Sequence, residues 1–468
     1  MMRQSRVVYR RMTHPHPLAE RGQGVYLWDA DGRRYIDGSG GAAVVNIGHG
    51  VPEVAQAMAG QAAGVAYVHG TMFSTDALET HSERLAAHIP MPDPRFYYMA
   101  SGSEAVETAI KFARQVQLAR GESAREVIVS RWGSFHGATI GALAVTGKPK
   151  VRTLYAPLFR DQPHIPSPYC YRCPFDRLRV GSFGYGRTVR AQGKPFEATH
   201  PACDLACAQA LETEILRQGP GRVAAFIAES VGGATLGAVV PPGGYWTRIA
   251  EICDRYEVLL IADEVMVGFG RTGRWFAIDH FGVQPDVMAL GKGATGGYFP
   301  LSVIAVRGAD VETIRQAHSD FVHGGTFSHH AVGAAVALAT LRYIEEHDLV
   351  TVAAARGAYL GQRLSETLGE IPCVGDVRGL GMLWGVEFVT DRQTKAPFPP
   401  EFHFGRRVGD LAFERGVIFY PGSGSVDGVR GDHVLIAPPF VITEEEIDEV
   451  VSVLGKAVLD VWGEIRSQ

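Results

Sequence analysis

The stretch VLLIADEVMVGFGRTG, Val258 to Gly273, decides the fold of this chain. It opens with an unbroken apolar run, Val258 to Ala262, which ends abruptly in Asp263 and Glu264. Such a run between polar and glycine-rich neighbours is typical of a parallel-sheet strand that is buried on both faces. Ligands of these sheets bind beyond the carboxyl ends of the strands. We therefore expect Asp263 to lie in a binding site of an α/β protein.

A second short strand is predicted at Asp286 to Leu290 and leads into Gly291-Lys292-Gly293. Small neighbours let a flat ligand approach and leave the ammonium without an obvious neutralising partner, a setting in which the pKa of a lysine falls. An amine that can lose its proton can form a Schiff base. A pyridoxal phosphate site requires such a lysine for the aldehyde carbon, and a carboxylate such as Asp263 for the protonated ring nitrogen.

Three ordered blocks resemble the class III pyridoxal-phosphate aminotransferases, the ω-aminotransferase group. They are SGSEA at Ser101 to Ala105, the ADEV and GFGRTG motifs within Ala262 to Gly273, and the GKG and GGYFPLS motifs within Gly291 to Ser302. The similarity extends from GVYLWDADGRRYIDG at Gly24 to APPFVIT at Ala437. The resemblance implies a fold type I α/β protein, with a large, mostly parallel-sheet cofactor domain and a smaller α/β domain built from both termini. It also implies pyridoxal 5'-phosphate as the cofactor.

We expect three parts along the chain. Residues 1–65 form an N-terminal arm and part of the small domain, residues 66–330 the large cofactor domain, and residues 331–468 the C-terminal small domain. The least family-like part, 163–207, is expected to be an insertion that shapes the substrate entrance or a subunit contact. Its cysteines leave two interpretations open, a structural zinc site or small core residues, and we predict no metal. These cysteines are Cys170, Cys173, Cys203 and Cys207.

Composition and charge argue against several classes of protein. The net charge of −5, from 45 basic and 50 acidic residues, argues against nucleic acid or an anionic membrane as the main partner. No apolar run approaches the ~20 residues that a membrane span needs. The basic N-terminus lacks the apolar segment of a signal peptide, and six cysteines in 468 residues make no disulfide framework. We therefore expect a cytoplasmic protein.

A helix is predicted to start at Ser101-Gly102-Ser103, directly after a strand at Arg95 to Met99. Free N–H groups and the helix dipole at a helix start both favour an anion. We therefore expect these three residues to bind the cofactor phosphate. The alternative is that Ser101 or Ser103 is simply an N-cap.

The resemblance also assigns the residues around the cofactor ring. The aromatic residue before His-Gly stacks on the ring in the family; it is often tyrosine there and is Phe135 here. His136 is either a ring neighbour or a structural histidine. Val265, two residues beyond Asp263, is expected on the same side of the strand, packed against the opposite face of the ring.

Two further cofactor residues follow from the resemblance. Glu229, at the end of a predicted strand Val223 to Ala228, is expected in the network around the ring's hydroxyl side, or to gate a substrate carboxylate; the alternative is an ion pair at a strand end. Thr326 is expected to reach the phosphate of a neighbouring subunit. This implies a homodimer with shared active sites, with a tetramer left open.

The substrate pocket is expected to contain Ala43, Phe73, Tyr420 and Arg430. Ala43 is small and leaves space for substrate, unless its segment is a plain connecting loop. Relatives hold the carboxylate of a keto acid with an arginine before a GD-containing turn, and Arg430 directly precedes such a turn. If Arg430 is a surface residue instead, Tyr420 or Ser423 lines the pocket.

The predicted reaction moves an amino group from an amine or ω-amino acid to a keto acid such as pyruvate. Lys292 is expected to form the Schiff base and to act as general acid and base, and Asp263 to keep the ring nitrogen protonated. One alternative is a decarboxylating or aminomutase-type enzyme of the same fold. Another is a non-catalytic cofactor-binding protein, which has less need of Lys292, Asp263 and the phosphate loop together.

Overall fold

A computed structural model describes residues 6–12, 16–173, 175 and 203–467. Most of the predicted insertion, residues 174 and 176–202, lies outside the described residues, as do residues 1–5 and 13–15 of the expected N-terminal arm. The domain limits at residues 65 and 330 stay predictions.

The described residues contain fifteen strands. They are β1 (Ala19–Gln23), β2 (Tyr26–Asp29), β3 (Arg34–Asp37), β4 (Pro94–Met99), β5 (Val127–Arg131), β6 (His164–Ile165), β7 (Val223–Glu229), β8 (Leu259–Asp263), β9 (Val287–Leu290), β10 (Ser302–Arg307), β11 (Val374–Leu380), β12 (Leu383–Phe388), β13 (Val417–Ile418), β14 (Tyr420–Ser423) and β15 (Asp432–Ile436).

The same part of the chain contains thirteen α-helices. They are α1 (Gly40–Ala43), α2 (Pro52–Gly64), α3 (Asp76–Ala86), α4 (Gly102–Ala119), α5 (Ile140–Val145), α6 (Pro149–Arg152), α7 (Ala206–Gln218), α8 (Tyr245–Tyr256), α9 (Gly308–His318), α10 (Ala331–Glu346), α11 (Leu349–Leu368), α12 (Phe404–Glu414) and α13 (Glu444–Arg466). None of these helices combines the length and apolar character that a bilayer crossing needs.

The central sheet has seven strands in the order β4-β10-β9-β8-β7-β5-β6. Strands β9, β8, β7, β5 and β6 are parallel, and β10 is antiparallel to both of its neighbours. This confirms the predicted α/β class with a mostly parallel sheet. The strand that follows Val258 is the centre of this sheet, because three strands lie on each side of β8 and both of its direct neighbours, β9 and β7, are parallel to it.

Strand β8 shows why an unbroken apolar run was needed. Leu259 and Ile261 pack on one side of the sheet, in a core cluster with helix α4. Leu260 and Ala262 pack on the other side, in a cluster with helix α8. Since successive side chains of a strand point to opposite faces, both sets must be apolar when helices cover both faces. The polar residues can therefore appear only where the strand ends.

Two smaller sheets bring distant parts of the chain together. One has the order β1-β2-β3-β13 and the other β11-β12-β15-β14. The hairpin predicted at Gly24 to Gly38 is present as antiparallel β2 and β3, and Gly32 in its turn has a positive φ of 80°. Strand β3 pairs in parallel with β13 through Ile36 and Val417. Residues from both ends of the chain thus share one sheet, as the fold class implies.

Some element limits differ from the sequence expectation for local reasons. Helix α4, predicted to start at Ser101-Gly102-Ser103, begins at Gly102 and runs to Ala119. The helical stretch after Ala331 is two helices, because Asp348 adopts a left-handed φ of 47° between them. The capping box predicted at Thr443 and Glu446 is present at the start of α13.

The cysteine interpretation needs a correction. The small-core interpretation assumed that Cys203 and Cys207 lie one turn apart on one face of a helix, but helix α7 begins at Ala206 after a left-handed Leu205, so Cys203 precedes the helix. Both thiols are buried. No group of three or more His, Cys, Asp or Glu side chains in the described ranges is arranged to hold a metal ion.

Candidate active site

The carboxyl ends of three neighbouring parallel strands form the centre of the site. Glu229 at the end of β7 is in register with Asp263 at the end of β8, and Asp263 with Ala289 in β9. Lys292 lies two residues beyond the end of β9. Neighbouring strands are about 4.8 Å apart, so the fold brings together residues that are far apart in sequence.

Asp263 is fixed by two hydrogen bonds. Its Oδ2 lies 2.7 Å from Nδ1 of His136, and its Oδ1 accepts from the backbone N–H of Val265 at 3.0 Å. Because a carboxylate only accepts, Nδ1 of His136 is the donor. The buried Nε2 of His136 has no partner among the described residues. His136 is therefore a direct neighbour of Asp263, and its contact with the cofactor ring stays a prediction.

Glu264 has a structural role, although it adjoins Asp263 in sequence. The side chain is fully buried and accepts hydrogen bonds from the backbone N–H groups of Ala277 and Ile278, at 2.9 and 2.8 Å. Burial raises its pKa to about 8. Of these two neighbouring carboxylates, only that of Asp263 thus belongs to the strand-end group, which consists of Glu229, Asp263 and Lys292.

Lys292 has a perturbed amine, as the sequence predicted. Burial lowers the pKa of its ammonium to about 8. The expectation that no neutralising partner would be near was wrong, because the carboxylates of Asp263 and Glu229 are within electrostatic range and oppose this fall. Desolvation exceeds their attraction, so about a tenth of the amine is uncharged at pH 7.

Glu229 is also buried, with 6% of its surface exposed. Burial raises its pKa to about 7, and the charge of Asp263 adds to this rise. In the described part of the chain Glu229 forms no ion pair, so the alternative of a strand-end ion pair is not what the structure has. Its backbone carbonyl accepts a hydrogen bond from Arg131.

The start of helix α4 is only in part as expected. The Oγ of Ser101 accepts from the N–H of Glu104, and Glu104 accepts from the N–H of Ser101 at 2.8 Å, so the N-cap interpretation was right for the hydroxyl of Ser101. The hydroxyl of Ser103 accepts from the N–H of Ala138 at 3.1 Å, in the loop that carries His136. The N–H groups of Gly102 and Ser103 have no acceptor among the residues that the structure describes. They remain available to an anion.

Three segments converge beside this helix start. A Cβ built on Gly102 would lie 2.8 Å from Cγ1 of Val265, and one on Gly291 would lie 3.3 Å from the same atom. Strand β8 ends at Asp263, so the argument that placed Val265 by strand alternation was wrong. Val265 lies in the turn after the strand, and contact with the two glycines positions it instead.

Two residues that the sequence interpretation missed hold this region together. The Nδ2 of Asn46 donates to the carbonyls of Phe269 and Gly293, at 3.3 and 3.1 Å. The guanidinium of Arg271, 1% exposed, donates to the carbonyls of Val45, Met382 and Pro438. Each is a polar residue in a mostly apolar, glycine-rich segment, VVNIGHG or GFGRTG, and that was the available signal.

The expected substrate residues, and Phe135 as an expected contact of the cofactor ring, fall into two groups. Ala43 is buried, with φ 56°, in the same apolar cluster as Leu435, the register partner of Tyr420. Phe135 is 41% exposed in the loop before His136. By contrast Arg430 lies in the loop between β14 and β15, where its Nε donates to Asp427 at 2.6 Å. Its charge is thus already paired within its own loop.

Phe73 and Thr326 lie at the surface of the chain. The side chain of Phe73 is 69% exposed, and Thr326 is exposed in the segment between α9 and α10. The described residues alone therefore do not bring these two residues into the strand-end group.

The profile of the class-III aminotransferase family matches residues 7–458. The chain belongs to the class-III aminotransferases. This aminotransferase is 36% identical over 447 residues to the uncharacterized aminotransferase YodT of Bacillus subtilis, covering 96% of each chain. It is 32% identical over 444 residues to the putrescine–pyruvate aminotransferase of Pseudomonas aeruginosa, covering 94% of this chain and 90% of that one.

A solved structure is also similar, that of a thermostable (S)-enantioselective omega-transaminase from Thermomicrobium roseum. It has 38% sequence identity and a TM-score of 0.85 over 97% of this chain and 94% of that one. The aminotransferase therefore has the fold type I architecture and is an enzyme that transfers amino groups between small molecules. Its family depends on pyridoxal 5'-phosphate.

Proposed function

We propose that this aminotransferase moves an amino group from an amine or ω-amino acid to a keto acid such as pyruvate, with Lys292 and Asp263 as its catalytic residues. One observation carries the proposal. A lysine with a pKa of about 8 lies just beyond one parallel strand, and a hydrogen-bonded carboxylate ends the next. The name of the Pseudomonas aeruginosa relative supports pyruvate as acceptor, and the omega-transaminase structure supports a donor amine that is not at an α-carbon.

The residues of the site fit pyridoxal 5'-phosphate. The N–H groups of Gly102 and Ser103, which have no acceptor among the described residues, suit a phosphate, and the missing Cβ of Gly102 lets Val265 pack against this helix start. A fixed carboxylate at Asp263 suits a protonated ring nitrogen. The other proposed cofactor contacts are Phe135, His136, Glu229, Val265, Lys292 and, across a subunit boundary, Thr326. Since the hydroxyl of Ser101 caps the helix, we do not assign it to the phosphate.

The cofactor, when bound, supplies an aldehyde carbon that exchanges amines and a ring that withdraws electrons. Lys292 contributes an amine that is partly unprotonated near neutral pH, so its Nζ can accept a proton from the substrate carbon and return one. The carboxylate of Asp263 provides a negative charge that would stabilise a protonated ring nitrogen facing it. His136 donates to Oδ2 of Asp263 and so fixes the orientation of that carboxylate.

The proposal is tested on the purified protein loaded with cofactor, by its visible absorbance. We expect the band to bleach when a suitable amine or ω-amino acid is added alone, and to return when pyruvate follows. The amines that act identify the donor class. Release of carbon dioxide without any need for pyruvate would instead indicate the decarboxylating alternative, and no response to any donor would contradict the proposal.

We also propose a homodimer, supported by an exposed apolar patch. Met72, Phe73, Val322 and Phe327 are each at least 60% exposed, and the rings of Tyr67 and Phe327 lie 6.5 Å apart, so the two segments adjoin. Contiguous exposed apolar surface marks an interaction site, and Thr326 lies within this patch.

Sedimentation is expected to give twice the chain mass of 50.6 kDa. If Thr326 reaches a phosphate across the interface, Thr326→Val should weaken cofactor retention by about tenfold, the effect of losing one hydrogen bond to a charged group, and leave the dimer intact. A monomer that retains cofactor normally would contradict both parts of the proposal.

A further inference from the structure

A second cationic side chain stands beside the site. The ammonium of Lys148 is partly buried, yet it forms no hydrogen bond or ion pair with any residue of the described ranges. A desolvated charge without a partner is unfavourable. The position of Lys148 therefore calls for a partner that the described residues do not provide.

The backbone holds Lys148 against the loop that carries Phe135 and His136. The N–H of Gly147 donates to the carbonyl of Ser134 at 3.1 Å, and the N–H of Gly133 donates to the carbonyl of Gly147 at 2.8 Å. Thr146 accepts from the N–H of His136 at 3.0 Å. These bonds fix the residue before Lys148 to the candidate ring loop, so its place relative to the site is built into the fold.

The charges around Lys148 are mostly positive. Burial lowers its pKa, and Lys150 and Arg10 lower it further, whereas among the described residues Glu229 opposes the fall. Glu229 has a pKa of about 7 and is therefore not fully charged near neutral pH. His433 is within electrostatic range of Lys148, and burial lowers its pKa to about 4, so it is neutral at that pH. The region is thus cationic and open to an anion.

We propose that Lys148 binds the carboxylate of the substrate, that of the keto acid acceptor and of any ω-amino acid donor. The inference rests on the proposed function. A charge-assisted hydrogen bond from the Lys148 ammonium would give the partly desolvated cation its missing partner. Arg430, the arginine expected from the sequence, already pairs with Asp427. Lys148 is thus a residue that determines specificity for acids over uncharged carbonyl compounds.

The test compares Lys148→Met with Lys148→Arg, which keeps the charge, and with Lys456→Met, which removes a charge from the exposed face of α13. Each cofactor-loaded enzyme is assayed with one amine donor and two acceptors, pyruvate and the carboxylate-free aldehyde propanal. Calorimetry with propionate, an unreactive carboxylate, measures binding without turnover. Lys148→Gln replaces Lys148→Met if the latter does not fold.

We expect Lys148→Met to raise the KM for pyruvate and the Kd for propionate by about tenfold or more, the effect of losing a charged hydrogen bond. The kinetics with propanal should stay within about twofold, Lys148→Arg should restore much of the acid binding, and Lys456→Met should behave as the parent. Equal losses with pyruvate and propanal would show that Lys148 only offsets Glu229, and unchanged propionate binding would overturn the inference. If the parent enzyme reacts with no amine and pyruvate pair, the proposed function fails, while the propionate titration still decides on Lys148.

Discussion

Lys292→Ala is expected to abolish amino transfer, with a loss of at least about 10⁴ in kcat, since it removes both the covalent anchor and the group that moves the proton. Lys292 is the residue with the lowered pKa beyond β9, and no other lysine in the described ranges adjoins Asp263 and Glu229 in this way. Its removal also relieves a partly desolvated charge, so we expect the fold to persist. Turnover of an amine with pyruvate and the thermal unfolding midpoint measure the two effects separately.

Lys456→Ala is the matched control, because it removes the same side chain from an exposed position on α13. It should leave both turnover and the visible band of the bound cofactor unchanged. After borohydride reduction of the parent enzyme, mass spectrometry should find the cofactor on the peptide that contains Lys292. Normal turnover of Lys292→Ala, or cofactor attached to another lysine, would refute the assignment.

Asp263→Asn is expected to lower kcat about 10³-fold. The substitution replaces the negative carboxylate, which is proposed to face the protonated ring nitrogen, by a neutral amide. The substitution keeps the size of the side chain and an acceptor for the N–H of Val265. It places an amide against His136, whose Nδ1 now donates to the carboxylate at 2.7 Å. We therefore expect a properly folded protein whose defect lies in kcat and in cofactor affinity.

Asp31→Asn, in the exposed hairpin turn between β2 and β3, is the control for the loss of one carboxylate. Circular dichroism should be the same for the parent and both variants. If Asp263→Asn turned over at the parent rate, the carboxylate would have no electronic role, and the interaction with His136 would be purely structural.

The centre of the site could be predicted from the sequence because of the way a parallel sheet is buried. Strand β8 has apolar residues on both faces, so the polarity change at Asp263 marks the strand end, and the same holds for Glu229 and β7. Ligands bind at such ends. The lowered pKa of Lys292 was predicted from its small neighbours. In the structure its cause is burial, whose effect on the pKa exceeds the opposing attraction of the carboxylates of Asp263 and Glu229.

Other contacts could not be read from the sequence, because they depend on which strands are neighbours. The bond between His136 and Asp263 exists because β5, β7 and β8 lie side by side. Asn46 reaches Gly293 only through the packing of the N-terminal segment against the cofactor domain. No sequence motif pointed to Lys148. Its ammonium has no partner among the described residues, and this can be seen only in the structure.

The residue proposed to hold the substrate carboxylate changed for a similar reason. A position before a GD turn favoured Arg430 by resemblance, but the turn folds so that Asp427 pairs with it. Sequence similarity fixes the position of an arginine along the chain and not the direction of its side chain.

The parallel pairing of Ile36 with Val417 has a consequence for how the enzyme is made. The two residues are 381 positions apart (417 minus 36). At a synthesis rate of about 5–20 residues per second, the N-terminal strands leave the ribosome about 20–80 s before their partner exists. During that time the edge of β3 is unpaired and open to other chains. Asn46, which donates to the carbonyl of Gly293 beside Lys292, follows in the same segment, so the residues that wait for β13 are continuous with those that pack against the catalytic lysine.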